Sequence, residues 1–150
     1  MEAALECPEG FYCPSRDTQV NVDGLTYNKI PCPPGTYRDT QGAESVSQCI
    51  QCPSGYACPF YGLISGTTYQ CKAGFYCTSG ATSDSPTFDS ATFGPCPKGH
   101  YCEAGTTAPV ACGAGTYMPY TGARAQAECI QCHPGMYCSG TGQIAPTGIC

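Results

Sequence analysis

Residues 132–138 read CHPGMYC, and the chain restates this phrase along its whole length. CPEGFYC occupies 7–13, CPSGYAC 52–58, CKAGFYC 71–77 and CPKGHYC 96–102, while CPPGTY at 32–37 and CGAGTY at 112–117 keep the head and drop the second cysteine. Such a phrase could serve as a metal site, a reactive-thiol site or a covalent staple, and the choice among the three decides the fold.

Composition narrows the choice. Cysteine supplies 15 of the 150 residues, the level of a disulfide scaffold. Leu, Ile, Val and Phe together number 18, too few for a conventional core. A chain with so little apolar burial can still fold if cross-links remove entropy from its unfolded state. Such bonds persist in oxidising surroundings, which points to an extracellular or cell-surface location. A net charge of -5 with 6 Lys plus Arg gives no basic stripe for nucleic acid. No apolar run approaches the ~18 residues of a membrane span. The N-terminal MEAALECPEG lacks the positive and apolar regions of a signal peptide, and Cys150 falls where another repeat would begin, so a piece of a longer secreted protein is expected.

The repeats set the organisation. Cys32–Cys58 aligns without a gap to Cys112–Cys138, and CIQC recurs within that match at 49–52 and 129–132. A second echo spaces Cys7, Cys13 and Cys32 as it does Cys71, Cys77 and Cys96. Periodicity of this kind indicates small units stacked in one dimension. The parse gives short-loop units at 7–31, 52–70, 71–95, 96–111 and 132–149, and long-loop units at 32–51 and 112–131. The expected fold class is small and disulfide-rich: tandem repeats of turns and short β-hairpins with little helix, forming an elongated rod whose units touch only their neighbours. Strands are expected around GTY at 35–37 and 115–117, pairing back onto QCIQC and ECIQC. In CPEG and CPKG, Pro second and Gly fourth suit a type I turn begun at the cysteine, whereas CPPG and CHPG fit that register less well. Tyr12, Tyr37, Tyr76, Tyr101, Tyr117 and Tyr137 each follow a phrase glycine by two residues, where a ring can cover a disulfide and keep its hydroxyl wet.

Two cystine schemes account for the cysteines. Closure within units joins Cys7 to Cys13, Cys32 to Cys49, Cys52 to Cys58, Cys71 to Cys77, Cys96 to Cys102, Cys112 to Cys129 and Cys132 to Cys138, leaving Cys150 to pair beyond the segment. The chain-entropy relation gives about 2.4 kcal/mol for each tight loop and about 3.2 kcal/mol for each long one. A staggered scheme joins Cys13 to Cys32, Cys52 to Cys71 and so on, tying successive units together; closure within units is favoured slightly.

The C-x-x-G-T-Y…C-x-x-C pattern, as in CPPGTY through CIQC, resembles the cysteine-rich ephrin-receptor-like repeats, which also occur in large surface proteins of protists and algae. The resemblance covers essentially the whole chain, although the short-loop units depart from the receptor version by placing cysteine directly after the aromatic. It implies an extracellular repeat and is nearly silent about function.

Other chemistries have less support. Cys49 with Cys52 and Cys129 with Cys132 have zinc-ligand spacing, but the two pairs lie far apart in the chain, inside repeats whose other cysteines have no place in a four-ligand site. A thioredoxin-like motif would need a βαβ setting that this Gly- and Pro-punctuated sequence lacks. His100 and His133 occupy variable turn positions and read as exposed turn residues rather than catalytic bases. Asp17, Asp23, Asp39, Asp84 and Asp89 lack the spacing of a calcium loop. No catalytic residue, metal or cofactor is expected, and the chain is read as not an enzyme. Asn21 and Asn28 are outside any N-linked acceptor pattern, while the Ser/Thr-rich stretches at 78–94 and 105–109 permit O-linked glycans.

What remains is a structural extracellular repeat protein, a stapled rod of a filament, appendage or surface coat that self-associates or joins another chain. A receptor or adhesion ectodomain for a protein ligand is the alternative. Tyr61, Leu63, Ile64, Tyr69 and Tyr120 lie outside the repeat phrase and are the candidate partner contacts.

Overall fold

The computed structural model describes residues 6–14, 29–87 and 93–150. Asp17, Asn21, Asp23, Asn28, Asp89 and parts of the Ser/Thr-rich stretch at 78–94 lie outside the described residues.

Among the described residues, seven two-stranded antiparallel hairpins follow one another, one for each repetition of the phrase. β1 (Phe11–Tyr12) pairs with β2 (Ile30–Pro31), β3 (Thr36–Tyr37) with β4 (Ile50–Gln51) and β5 (Tyr56–Ala57) with β6 (Tyr69–Gln70). β7 (Phe75–Cys77) pairs with β8 (Phe93–Pro95), and β9 (His100–Tyr101) with β10 (Val110–Ala111). β11 (Thr116–Tyr117) pairs with β12 (Ile130–Gln131), and β13 (Met136–Tyr137) with β14 (Gly148–Ile149). The two GTY strands thus pair back onto the IQ of CIQC, as the sequence predicts. Helix among the described residues amounts to two short 3-10 turns, Val46–Gln48 and Gln126–Glu128, both in long loops.

The turn that opens each hairpin starts one residue later than the sequence reading places it. The N–H of Phe11 donates to the carbonyl of Pro8, and the same step recurs from Tyr56 to Pro53, His100 to Pro97 and Met136 to His133. The phrase glycine is therefore the third residue of the turn, and its φ is positive throughout, from +79° at Gly99 to +91° at Gly74. A type II turn demands that conformation of its third residue, and glycine adopts it without strain. Pro34 and Pro134 now stand at the second position, which a proline ring presets, so CPPG and CHPG are the best-fitting turns instead of the worst.

The cysteines close within units. Bonds join Cys7–Cys13, Cys52–Cys58, Cys71–Cys77, Cys96–Cys102 and Cys132–Cys138 at a separation of 6, and Cys32–Cys49 and Cys112–Cys129 at a separation of 17. Cα–Cα distances run from 5.8 to 6.1 Å, the ordinary span of a disulfide. Among the described residues, the buried side chains are these cysteines, Cys13 and Cys132 excepted, with Ala43, Ala57, Ala81, Ala123, Met118 and Pro86. One buried cluster joins Ala57 to Cys71, Cys77 and Ala81 under Phe75 and Phe93, and a second joins Cys112, Met118, Ala123 and Cys129 beside Tyr101. Each spans two units, so the core is a series of small patches at the joins.

Contact between units is not confined to neighbours, in contrast to the expectation from the repeats. A Cβ placed on Gly55 would lie 2.7 Å from the carbonyl oxygen of Gly105, two units on. Gly35 stands in the same relation to Gly80, and Gly74 to Gly122, each at 2.9 Å. The reason is geometric: with no side chain at the turn, the backbone of the second unit along can close directly over it.

If the turn begins where the hydrogen bonds place it, Ser54→Pro, which turns CPSG into CPPG, stabilises the chain by about 0.4–1 kcal/mol in denaturant unfolding with the disulfides intact. A loss of stability would put the turn back on the cysteine.

Candidate functional site

The surface that the repeats build is the join between one unit and the next, and it is made of backbone. Six of the seven phrase glycines donate their N–H to the residue six past the first cysteine of the following unit: Gly10 to Arg38, Gly35 to Cys58, Gly55 to Cys77, Gly74 to Cys102, Gly99 to Met118 and Gly115 to Cys138, at 2.7–3.2 Å. A second glycine, nine or ten positions past a first cysteine, donates back to the first cysteine of the preceding unit. Those bonds run from Gly42 to Cys7, Gly62 to Cys32, Gly80 to Cys52, Gly105 to Cys71, Gly122 to Cys96 and Gly142 to Cys112, at 2.8–2.9 Å. The residue after this second glycine then accepts the N–H of the earlier unit's sixth-position residue, as Ala43 does from Cys13, Leu63 from Arg38 and Ala81 from Cys58. Three bonds therefore fasten every join, and each neutral bond contributes roughly 1 kcal/mol net when its alternative is water.

The staple changes between unit types and the ladder does not. In long-loop units Arg38 and Met118 stand where short-loop units have their second cysteine, and both still donate and accept in the ladder. Met118 fills the space with a buried side chain. Arg38 instead turns outward and donates to the carbonyls of Thr40 and Gln48, both at 3.0 Å, and to that of Gln41 at 3.4 Å. The long loops are closed alike. Gln48 Oε1 accepts the N–H groups of Glu44 and Ser45, and Glu128, at the matching position of the other long loop, accepts the N–H of Arg124 at 3.2 Å and its guanidinium at 3.0 Å. The backbone N–H first and the guanidinium second hold the Glu128 carboxyl below its ordinary value.

The second glycine escaped the sequence reading, although a signal was present. Gly-Ala recurs at 42–43, 80–81 and 122–123, and all three alanines are at most 1% exposed. Gly-Leu, Gly-Thr and Gly-Gln replace it at 62–63, 105–106 and 142–143, which hides the repeat.

Among the candidate contact residues, Tyr61, Ile64 and Tyr120 are 55–67% exposed. Leu63 and Tyr69 are half-buried, Leu63 with its carbonyl in the ladder and Tyr69 edge-on to Phe60 with ring centroids 5.5 Å apart. Phe60, itself 55% exposed, belongs with them and was not singled out by sequence, because it follows a phrase-ending Cys-Pro. Of the tyrosines in register, Tyr12, Tyr37, Tyr76, Tyr101 and Tyr117 are half-buried and Tyr137 is exposed. Tyr101 covers the Cys112–Cys129 cluster of the following unit, and the Tyr37 ring fills the space where Gly66 has no side chain. The 5.5 Å ring pair of Phe60 and Tyr69 lies outside that row.

His100 Nδ1 lies 3.0 Å from the Lys98 carbonyl, His133 is exposed, and Asp84 accepts from Ser85 Oγ at 3.2 Å. Among the described residues no group of three or more His, Cys, Asp or Glu could hold a metal. No helix there is long and apolar enough to cross a membrane. Cys150 is an exposed thiol whose N–H donates to Gly135, completing the seventh hairpin. Ser79, Thr82, Thr87 and Thr107 are exposed hydroxyls of the two stretches that permit glycans.

No family model matches the chain. It is 34% identical over 106 residues, 71% of its length, to cysteine repeat modular protein A of Toxoplasma gondii. The chain spans about 3% of the length of that curated relative. The likeness and the seven disulfides make this a cysteine-rich repeat protein.

The buried and exposed positions predict opposite responses in thermal unfolding. Met118→Ala costs about 2 kcal/mol or more, because it empties one of the few buried clusters. Tyr61→Ser and Tyr120→Ser each change stability by no more than about 0.5 kcal/mol. Equal losses at all three sites would contradict the assignment of Tyr61 and Tyr120 as free surface.

Proposed function

We propose that this chain is a structural part of an extracellular or cell-surface assembly, a non-enzymatic, disulfide-stapled rod contributing to a filament, appendage or coat. The observation that carries the reading is the ladder, which repeats the same three bonds at every join and so adds each unit by a similar step. Length is what such repetition supplies. Disulfide density supports the extracellular setting, since these bonds would be reduced in the cytosol. The long-loop units at 32–51 and 112–131 are of the ephrin-receptor-like type in this reading, with a staple at a separation of 17 in place of the tight one.

Exposed Phe60, Tyr61, Ile64 and Tyr120 favour a second reading, an adhesion or receptor ectodomain that binds a protein along its side. The same residues serve lateral contact between rods, and the weakly charged surface, 11% Asp, Glu, Lys and Arg, suits that use better than steering of a charged ligand. O-linked glycans on Ser79, Thr82 or Thr107 would be compatible with either.

Small-angle scattering of the oxidised monomer tests the shape. A compact domain of this length has a radius of gyration of about 15 Å, and the rod predicts a value well above it. Images of the native particle then separate the two functions: a polymer supports the structural role, and a discrete molecule bound to a partner supports the receptor.

A further inference from the structure

The close approach between units two apart gives the stack a mechanical property that nearest-neighbour repeats lack. Five pairs of turns meet: Gly10 with Gly62, Gly35 with Gly80, Gly55 with Gly105, Gly74 with Gly122 and Gly99 with Gly142. In every pair the first residue is a phrase glycine and the second is the ladder glycine two units later. A Cβ on the first would lie 2.4–2.9 Å from the other's carbonyl oxygen, closer than side-chain carbons approach backbone. Burial follows the same contact: the phrase glycines with such a partner, Gly10, Gly35, Gly55, Gly74 and Gly99, are all buried, whereas Gly115 and Gly135, which have no unit two further along in these 150 residues and nothing within 4 Å of the Cβ position, are exposed.

We infer that the cooperative element of this fold is three consecutive units, with the phrase glycine of the first acting as the seat for the ladder turn of the third. The middle unit is held from both sides. Its own ladder glycine bonds back to the first unit, and its first cysteine receives the ladder glycine of the third, as Cys71 does from Gly105 while Gly80 bonds to Cys52. A join between two units therefore cannot open while the unit beyond stays seated, because the seated turn lies across the join. Such a stack resists local opening along its length and yields in blocks, unlike a repeat array in which each interface opens alone.

Matched glycine substitutions in the full 150-residue oxidised chain test this. Gly55 and Gly115 have nearly the same backbone, φ +85° and +88°, so alanine imposes the same local strain at each. They differ in the third unit: the Gly55 Cβ position faces the Gly105 carbonyl at 2.7 Å, and that of Gly115 faces nothing. Gly55→Ala is expected to raise amide exchange at Gly105 and Thr106, two units away, by at least about tenfold over Gly115→Ala. Gly115→Ala should disturb only its own unit and the next. Gly74→Ala, with a milder approach of 2.9 Å to Gly122, repeats the test at a second site and should act on Gly122 and Ala123. Failure of the Gly55 and Gly74 variants to fold, with Gly115→Ala folding, also supports the inference. Equal effects at all three sites, or effects of Gly55→Ala that stop at the adjacent unit, or failure of all three to fold, would overturn it.

Discussion

A buried backbone N–H must find an acceptor, and in this chain that requirement falls on the phrase glycine. Gly10, Gly35, Gly55, Gly74 and Gly99 are turned by positive φ so that their N–H groups point away from their own hairpins, and all five are buried. Left unpaired, each would cost about 1–3 kcal/mol. The following unit supplies the acceptor from its sixth position, and its ladder glycine returns a bond to the first cysteine. Stacking is what buries these N–H groups, since Gly115 and Gly135, with no third unit over them, are exposed, and the ladder supplies the acceptor that this burial demands. Leu, Ile, Val and Phe number only 18, and among the described residues the apolar burial is confined to small clusters.

The disulfides and the ladder act on different states. The cystines limit the unfolded chain, and their loops close whether or not the units meet. The ladder acts in the folded state and fixes how the units meet. This separation explains how two staple geometries coexist: a short loop closes at a separation of 6, a long loop at 17, and the sixth-position residue keeps its backbone bonds as Cys58, Arg38 or Met118 alike. A unit can thus carry a long exposed loop without disturbing its neighbours, and the variation that a binding or packing surface needs is placed there and in the second turn, where Phe60, Tyr61 and Tyr120 stand.

Much of this was legible because it is local. Cysteines six apart around a proline-glycine turn, and GTY returning onto CIQC, are decided within one unit, and the sequence reading reached the hairpins without reference to anything distant. It failed once locally and otherwise where a residue answers to another unit. The turn was placed one residue early because proline is favoured second in both type I and type II turns and CPEG and CPKG carry it directly after the cysteine, although the positive glycine φ is local, +89° at Gly135 with no following unit stacked on it. The ladder glycines stayed hidden because their offset is ten in four units and nine in two, and the residue after them varies between Ala, Leu, Thr and Gln. Contacts between units two apart leave a trace only as an absent side chain. Phe60 was passed over, and Leu63 and Tyr69 were named as candidate contacts although both are half-buried, because exposure around the ladder glycine depends on which backbone groups the ladder draws inward.

Backbone bonds between units, the same at every join, hold the repeats together. Hydrogen exchange on the oxidised chain tests it most directly, since each unit carries its own control: the N–H of Cys52, Cys71 or Cys96 closes a hairpin onto Gly35, Gly55 or Gly74, while the N–H of that same glycine crosses to the following unit. These glycine amides are expected to be protected as well as their hairpin partners, at long-loop and short-loop units alike. Glycine amides exchanging at the rate of an open peptide while the hairpin amides stay protected would show beads joined by linkers, and would contradict it.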